Sequence, residues 1–494
     1  MDMKNSRRRR HTLVVSDLHL TEGVEPDPRR PLWMRHKQRD LHVDLDFSEF
    51  IRHHLEVLPT GSELVLNGDI FDFDAVLTLP TDPQFSISWL ERLRGLSPES
   101  HKSRFKMEVI VKEHPVFFSA LRSWVEAGNE LIFVVGNHDM ELHWPQVQEV
   151  MLAAIGLSSG ARKRVRICPW FYISEDDTLI EHGNQYDSYC VCPDPLNPTL
   201  HGRNKVLMRI PFGDTAGRMM LNGMGLFNPY VESSFIKPLG EYVRFFFKQL
   251  APTQPFIAWT WFWGAVATLV LSLRDGFRPP IIDPFVQEER ENETASRSNT
   301  TPGRLRALRR LRVHPAIYNP WKIVRELWLD RALLLLVGVG TALQLFGMLN
   351  IFARVSIAWL IGPVLVVLPL LIFYTSVVRS EVNSTKKALL GVMPTALKML
   401  QVERAIVGHT HVEEIIHVDG YEVINTGTWS AAFADVACTQ PIGKKCFAYV
   451  RPSDSSPKNR VASLFAWEPT GPQLVEGPAP SELGAVGHSV AVGA

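Results

Sequence analysis

Short apolar runs rich in β-branched residues recur along this chain, and a polar cluster closes each one. They fall at residues 12–16, 64–66, 131–135, 178–180 and 405–407, with a further run at 423–425. Runs of this kind bounded by turn chemistry predict buried strands. Two amphipathic stretches between them predict helices. One covers 47–58 and stops at Pro59-Thr60-Gly61; the other covers 115–127 and stops at Gly128-Asn129. Residues 74–115 hold several Pro and Ser and show no period. They are expected to be an irregular insertion over the site, serving as a substrate cap.

The pattern changes between residues 182 and 409. Residues 332–352 and 356–378 are apolar, and Arg354 is the one charge across the whole stretch. Each run has roughly the twenty residues needed to cross a bilayer. The tight turn between them predicts a transmembrane hairpin. An earlier run, 256–273, holds Trp259, Trp261 and Trp263. It is expected to lie at the interface or to re-enter, as aromatic belts do. Basic residues gather between Arg304 and Arg331, before the hairpin, and at Arg379, Lys386 and Lys387, after it. By the positive-inside rule both flanks are cytoplasmic, on an inner or plasma membrane. Residues 304–329 read as an amphipathic helix on anionic lipid or as a solvated charged helix.

Length and composition narrow the picture. A chain of 494 residues suggests two to three domains. The expected division is 1–250 and 381–470 as two parts of one catalytic domain, 251–380 as an inserted membrane region, and 471–494 as a disordered tail. The formal net charge of +0 gives no general pull toward nucleic acid. Five cysteines, two of them only two positions apart, do not make a disulfide framework and fit a reducing compartment. No apolar core follows Arg7 to Arg10, so no secretory signal is expected.

The clusters behind the strands carry the chemistry. Asp17-Leu18-His19 follows the first. In extended chain, residues two apart share a face, so Asp17 and His19 can grip one cation. Gly68-Asp69 follows the second. A carboxylate has two oxygens and can bridge two cations, and Asp72 is placed to orient a neighbouring histidine. Gly136-Asn137-His138-Asp139 follows the third. The Asn137 amide oxygen can ligate without adding charge, which leaves His138 free to donate a proton. His182 follows the fourth, with Asp187 beyond it as either a support or a helix cap. Gly408-His409-Thr410-His411 follows the fifth, again with two side chains aimed one way. A strand-end turn would explain any one of these blocks alone. Together they hold the Asp, Asn and His side chains of a two-metal centre.

In this order the blocks resemble the calcineurin-like metallophosphoesterase family, whose pattern is D-x-H, G-D, G-N-H-D, a lone H and G-H-x-H. The resemblance covers roughly residues 11–190 and 400–450. It implies an α/β fold, a four-layer α/β/β/α sandwich with the site at the strand C-termini, here with an inserted transmembrane helical hairpin. One metal would be held by Asp17, His19, Asp69 and His411, the other by Asp69, Asn137, His182 and His409. A bridging hydroxide would attack phosphorus, while His138, held by Asp72, stabilises the phosphoryl oxygens or protonates the leaving group. The mixed O/N ligand set suits two divalent ions, Mn²⁺ foremost, with Mg²⁺, Fe or Zn²⁺ as further candidates and no thiolate zinc site.

Within the family the opening motifs are most similar to those of UDP-2,3-diacylglucosamine hydrolases, which cleave a lipid-linked pyrophosphate. This chain departs from them in carrying His138 where they have Arg, and in its long middle insertion. The protein-phosphatase branch fits less well, because its G-D-x-x-D is followed by Arg-Gly and Asp72 here by Phe73-Asp74. The expected activity is hydrolysis of a phosphoester or pyrophosphate, on a phosphorylated small-molecule or lipid-linked substrate at the membrane. The alternatives are a nucleotide phosphodiesterase or protein phosphatase, and a non-catalytic membrane scaffold or receptor.

Overall fold

The computed structural model describes residues 9–201, 205–226, 228, 230, 244, 247, 256–278, 284–378, 385–453 and 459–477. It is a mixed α/β structure built on two large sheets. The first takes β1 (Thr12–Val15), β2 (Glu63–Asn67), β3 (Glu130–Val134) and β4 (Val165–Cys168), all parallel. The second starts from β5 (Phe171–Ser174) and β6 (Thr178–Glu181), and a small hairpin follows, β7 (Thr199–His201) with β8 (Val206–Met208). After the long insertion come β9 (Arg404–Val407), β10 (Glu413–Val418) and β11 (Tyr421–Thr426). Then β12 (Cys446–Pro452), β13 (Arg460–Glu468) and β14 (Gly471–Glu476) return antiparallel to the first sheet. The strand orders are β14-β13-β12-β1-β2-β3-β4 and β10-β11-β9-β6-β5.

The central strands are buried on both faces, which is why their sequences read as continuous apolar runs. Successive side chains part to opposite sides. Val14, Val65 and Ile132 turn toward Tyr172, Ile180, Ile406 and Ile424 of the second sheet. Leu13, Val15, Leu66 and Phe133 turn the other way, onto Phe47, Phe50, Phe117 and Trp124. Those four belong to the helices Asp44–Val57 and Pro115–Glu126, which occupy the two predicted helical stretches to within a few residues. On the outer face of the second sheet, Leu179, Ala405 and Val423 pack on Leu305, Leu308, Met393 and Leu397.

Three expectations need correction. Residues 74–115 are not irregular, since they contain the helices Trp89–Arg94 and Ser100–Glu113. The second buries Lys102, Ser103 and Lys106 beside Met107 and Ile110, so its inward face has no apolar period to read. Residues 304–329 do not form one amphipathic helix. Pro315 and Pro320, which cannot donate a backbone hydrogen bond, separate Pro302–Arg309 from Pro320–Glu326. Arg306 and Arg309 are taken up by Glu291, and Leu305 and Leu308 lie in the core. The chain beyond 471 does not begin as a disordered tail, because Gly471–Glu476 forms β14. Residues 478–494 of that expectation lie outside the described residues.

Among the described residues three helices are long and apolar enough to cross a membrane. Leu329–Phe352 and Ile357–Thr375 have no part of their apolar windows buried inside the protein. Leu336, Ile351, Phe352 and Leu365 are each more than 60% exposed, far beyond the scattered apolar residues of a water-facing surface. The two helices lean on each other, and a Cβ at Gly338 would sit 2.9 Å from Val367. Their ends are tied where Tyr374 Oη donates to Asp330 at 2.8 Å and Arg331 to the Val378 carbonyl at 2.8 Å. The third helix, Ile257–Gly276, differs. Gly264, Ala265, Thr268 and Ser272 are buried, while Trp259 and Trp263 stay exposed.

A buried ion cluster clamps the sheet ends opposite the site. Asp177, in the β5–β6 turn, accepts from Arg460 of β13 at 3.0 Å and lies 3.6 Å from Arg404 of β9. Burial works against its charge, yet the Arg460 hydrogen bonds hold its carboxyl below the ordinary aspartate range. Asp177→Asn leaves two buried guanidinium groups short of a partner, a loss of about 3–5 kcal/mol. A depressed carboxyl contributes above its unfolded pKa of about 3.9 and loses that contribution as pH falls through the folded value. Unfolding of wild type and Asp177→Asn should therefore differ fully at pH 7 and converge below about pH 4.

Candidate metal centre

Five polar blocks stand at the carboxyl ends of parallel strands. Those after β1, β2 and β3 come from one sheet, and those after β6 and β9 from the other. The backbone there is unusual. Asp17, His19, Asp69, His409 and His411 all have positive φ, between 50° and 70°. For residues other than glycine this left-handed conformation costs of order 1–3 kcal/mol each and persists only where the surroundings enforce it. Five of the seven candidate ligands pay that cost within one site. The three glycines that precede the blocks explain how close the strand ends come. A Cβ on Gly68 would fall 2.5 Å from the His182 ring, one on Gly136 would strike the Asp69 carboxylate, and one on Gly408 the Asp17 carboxylate.

The donor atoms converge in two adjoining groups. In the first, His411 Nε2 is 3.1 Å from Asp17 Oδ1 and 3.3 Å from His19 Nε2. In the second, His182 Nε2 is 3.0 Å from Asp69 Oδ2, with His409 beside it. Within each group one atom from every residue lies within 4.8 Å of the others. Ligands bonded at about 2.1 Å to one cation sit roughly 3.0–3.4 Å apart, so the separations suit a shared ion. Asp69 also groups with His19 and His138, which places it between the two. Asn137 turns its amide nitrogen to Asp214 at 2.8 Å and leaves its oxygen without a partner.

The surroundings set the histidine tautomers. His182 Nδ1 donates to the Asn67 carbonyl at 3.0 Å, and His411 Nδ1 to the Tyr230 carbonyl at 2.9 Å. Each imidazole then turns its Nε2 toward the carboxylates, the nitrogen left to bind a metal when Nδ1 is so held. His182 Nε2 and Asn137 Oδ1 are buried with no hydrogen-bond partner. Asp17 and Asp69 are buried as well, with no Lys or Arg paired to them among the described residues. Burial alone would lower the His182 pKa, but the carboxylates of Asp69 and Asp17 raise it to about 10. Imidazole Nε2 atoms turned onto buried carboxylates, with an unpartnered amide oxygen beside them, are what a cation displacing the ring proton would complete, so the residues fit a metal pair.

His138 stands to one side of these groups. Its backbone N–H donates to Asp69 Oδ1 at 2.8 Å. Its ring lies between Asp72, 3.5 Å from Nδ1, and Asp214, 3.4 Å from Nε2. The Asp72 contact is ionic, without the aligned hydrogen bond expected from the sequence. Burial opposes protonation, but Asp214, Asp72 and Asp69 together raise the His138 pKa well above its usual value. Asp187 meets His409 Nε2 at 3.1 Å and accepts from the Tyr189 N–H at 2.8 Å, so it fixes both a ring and a turn.

Two residues went unread in the sequence. Asp214 lies in the helix Phe212–Met220 and holds both Asn137 and His138. Its Gly213-Asp214 dipeptide follows the apolar residues 206–208 and 210–212, but it sits inside a helix and not at a strand end. Tyr230 donates to Asp72 at 3.3 Å, covers the His19 ring at 4.6 Å and fixes His411 through its carbonyl. Nothing in its local sequence marks it.

The Gly68 contact gives a direct test. Gly68 has φ of 78°, and any side chain there collides with His182. Gly68→Ala should lower stability by about 1–3 kcal/mol. It should also weaken Mn²⁺ binding, measured by calorimetry on the folded variant.

No protein-family model matches the chain, and no curated protein does. Among solved structures it is similar to vacuolar protein sorting 29 from Cryptosporidium parvum, at 22% identity and a TM-score of 0.13. It is also similar to wild-type Vps29 complexed with zinc from Entamoeba histolytica, at 21% identity and the same TM-score. Each match covers 17% of this chain, and the chain spans 39% and 42% of the two relatives.

Proposed function

We propose that this protein is a membrane-tethered, two-metal phosphoesterase that hydrolyses a phosphoester or pyrophosphate bond within a four-layer α/β/β/α sandwich. The observation that carries this reading is the convergence of Asp17, His19 and His411 with Asp69, His182 and His409, linked through Asp69 and flanked by His138. Asn137, with its unpartnered oxygen, completes the second ligand set. Divalent cations in such a centre make a nucleophile from water at neutral pH and neutralise charge on phosphoryl oxygens. The chain supplies the rest. His138, kept protonated by Asp214 and Asp72, holds a proton for the departing oxygen. Tyr230 and Asp72 fix the rings around it, and the Asn67 and Tyr230 carbonyls hold two ligands in the binding tautomer.

Two apolar helices with wholly exposed flanks support the tether. An even number of crossings keeps both halves of the ligand set on one side, and the basic flanks favour the cytoplasm. The tryptophan-bearing helix Ile257–Gly276 packs against Phe212–Met220, where a Cβ on Gly264 would lie 2.7 Å from the Met219 carbonyl. Asp214 belongs to that same helix, so the site lies one helix away from the apolar surface. This placement favours a lipid-linked or membrane-proximal substrate.

Purified protein should release phenol from an aryl phosphate with Mn²⁺ and stop when EDTA removes the metal. Asp69→Ala should lower kcat by about a thousandfold or more. Activity retained in that variant would rule out Asp69 as the shared ligand. For the tether, a cysteine placed at Arg354, in the turn between the apolar helices, should react with an impermeant reagent from outside the cell. One placed at His314 should react only after the membrane is opened. Labelling of both from one side would exclude the hairpin.

A further inference from the structure

The described residues hold one more group of metal-binding side chains that shares no member with the proposed catalytic pair. It consists of His42, Asp44 and His114, and one donor atom from each lies within 4.8 Å of the others. The three come from two separate junctions. His42 precedes the helix Asp44–Val57 and Asp44 opens it, while His114 joins Ser100–Glu113 to Pro115–Glu126.

His114 is held much as His182 and His411 are. Its Nε2 donates to the Thr21 carbonyl at 2.7 Å, since a carbonyl can only accept. Nδ1 then remains, and it meets Asp44 Oδ2 at 2.8 Å. One ring nitrogen on a backbone carbonyl and the other turned to a carboxylate is the setting of a metal-binding imidazole, with the ion displacing the second ring proton. The half-buried His42 ring lies 4.6 Å from that of His114. Burial, with His114 beside it, lowers the His42 pKa, so this ring is neutral at pH 7 and can ligate.

Asp44 separates a metal site from a plain ion pair. A proton on His114 Nδ1 would satisfy Oδ2 alone. Oδ1 is buried with no hydrogen-bond partner, and among the described residues no lysine or arginine is paired with Asp44. A buried carboxylate oxygen left without a donor is destabilising, so a fold retains it where something else completes it. No water-sized space is needed for that. A cation bonded at about 2.0–2.2 Å sits within the donor group itself, and His42, the least buried member, gives it a way in.

The donor set also names the ion. Two imidazoles and a carboxylate, with water as a fourth ligand, suit Zn²⁺. We propose that His42, Asp44 and His114 bind a zinc ion of their own, apart from the catalytic pair. Its position is structural. Thr21, which receives His114, also donates through Oγ1 to the Asp72 carbonyl at 3.1 Å, and it stands two residues after His19. The ion therefore staples the starts of two helices to the loop that carries His19.

The test uses the full chain in detergent. Zinc bound per chain at equilibrium dialysis is measured for wild type, His42→Ala, Asp44→Asn and Asp69→Ala. His42→Ala keeps the buried pair of Asp44 with His114, and Asp44→Asn keeps an acceptor for His114, so both are expected to fold. Each should bind one zinc fewer than wild type, whereas Asp69→Ala, which disables the proposed pair, should keep this ion. Equal zinc in wild type and in both His42→Ala and Asp44→Asn overturns the inference, as does an Asp69→Ala chain that binds none. A second measurement is independent of the pair. Zinc should raise the unfolding temperature of Asp69→Ala by several degrees. The same rise in Asp69→Ala combined with His42→Ala would place the ion elsewhere and overturn the assignment.

Discussion

Two carboxylates, Asp17 and Asp69, buried at neighbouring strand ends, are the constraint on which the rest of the structure turns. An isolated carboxylate in a dry site is too costly to keep, and among the described residues no lysine or arginine is paired with either. The described groups that answer them are imidazoles, backbone N–H donors and the Ser16 hydroxyl, with His409 N–H and Ser16 Oγ–H reaching Asp17 and His138 N–H reaching Asp69. Left-handed backbone at both aspartates and at three of the histidines is what brings these groups so close. The strain is bearable because each strand beneath is locked in a sheet buried on both faces. A centre so built has its negative charge fixed in place before any cation arrives.

The same constraint explains how the chain tolerates its insertion. Five of the seven candidate ligands come before residue 183 and two after 408, yet β6 and β9 lie side by side and parallel. The intervening segment leaves and returns at one edge of the site. The entropy of closing a loop grows only slowly with its length, so a long excursion is tolerable where the ends are pinned. Asp177, Arg404 and Arg460 pin the far end of the same strands. Part of the excursion even serves the core, since Ala295, Leu305 and Leu308 pack on the second sheet.

What could be read from the sequence followed from how each feature is encoded. Strands buried on both faces leave continuous apolar runs, and a side chain at the end of such a run is legible as a site candidate. Asp17, Asp69, Asn137, His182 and His409 are legible in the sequence for that reason. The helix Ser100–Glu113 was not legible, because its inward face carries Lys102 and Lys106, whose ion pairs replace apolar contacts. Asp214 and Tyr230 were missed for another reason. They come from helix and turn, reach the site through tertiary contact alone, and sit in no strand-end pattern. Local sequence records the elements that deliver a ligand, but not the ones that steady it.

The three apolar helices bring these threads together. Composition makes them look alike, and three crossings would separate His409 and His411 from Asp17 and Asp69. Packing distinguishes them. Two present apolar surface all round, whereas Ile257–Gly276 buries Gly264, Ala265, Thr268 and Ser272 against the protein and shows tryptophan on the outside. Small and hydroxyl residues on one face with aromatic residues on the other suit a helix lying along an interface. Such a placement would leave two crossings among the described residues, an even number. The helix it packs on carries Asp214 to both His138 and Asn137, so displacement of Ile257–Gly276 would act on those two side chains together. On this reading, contact with the bilayer and acid chemistry at the site are joined through a single helix.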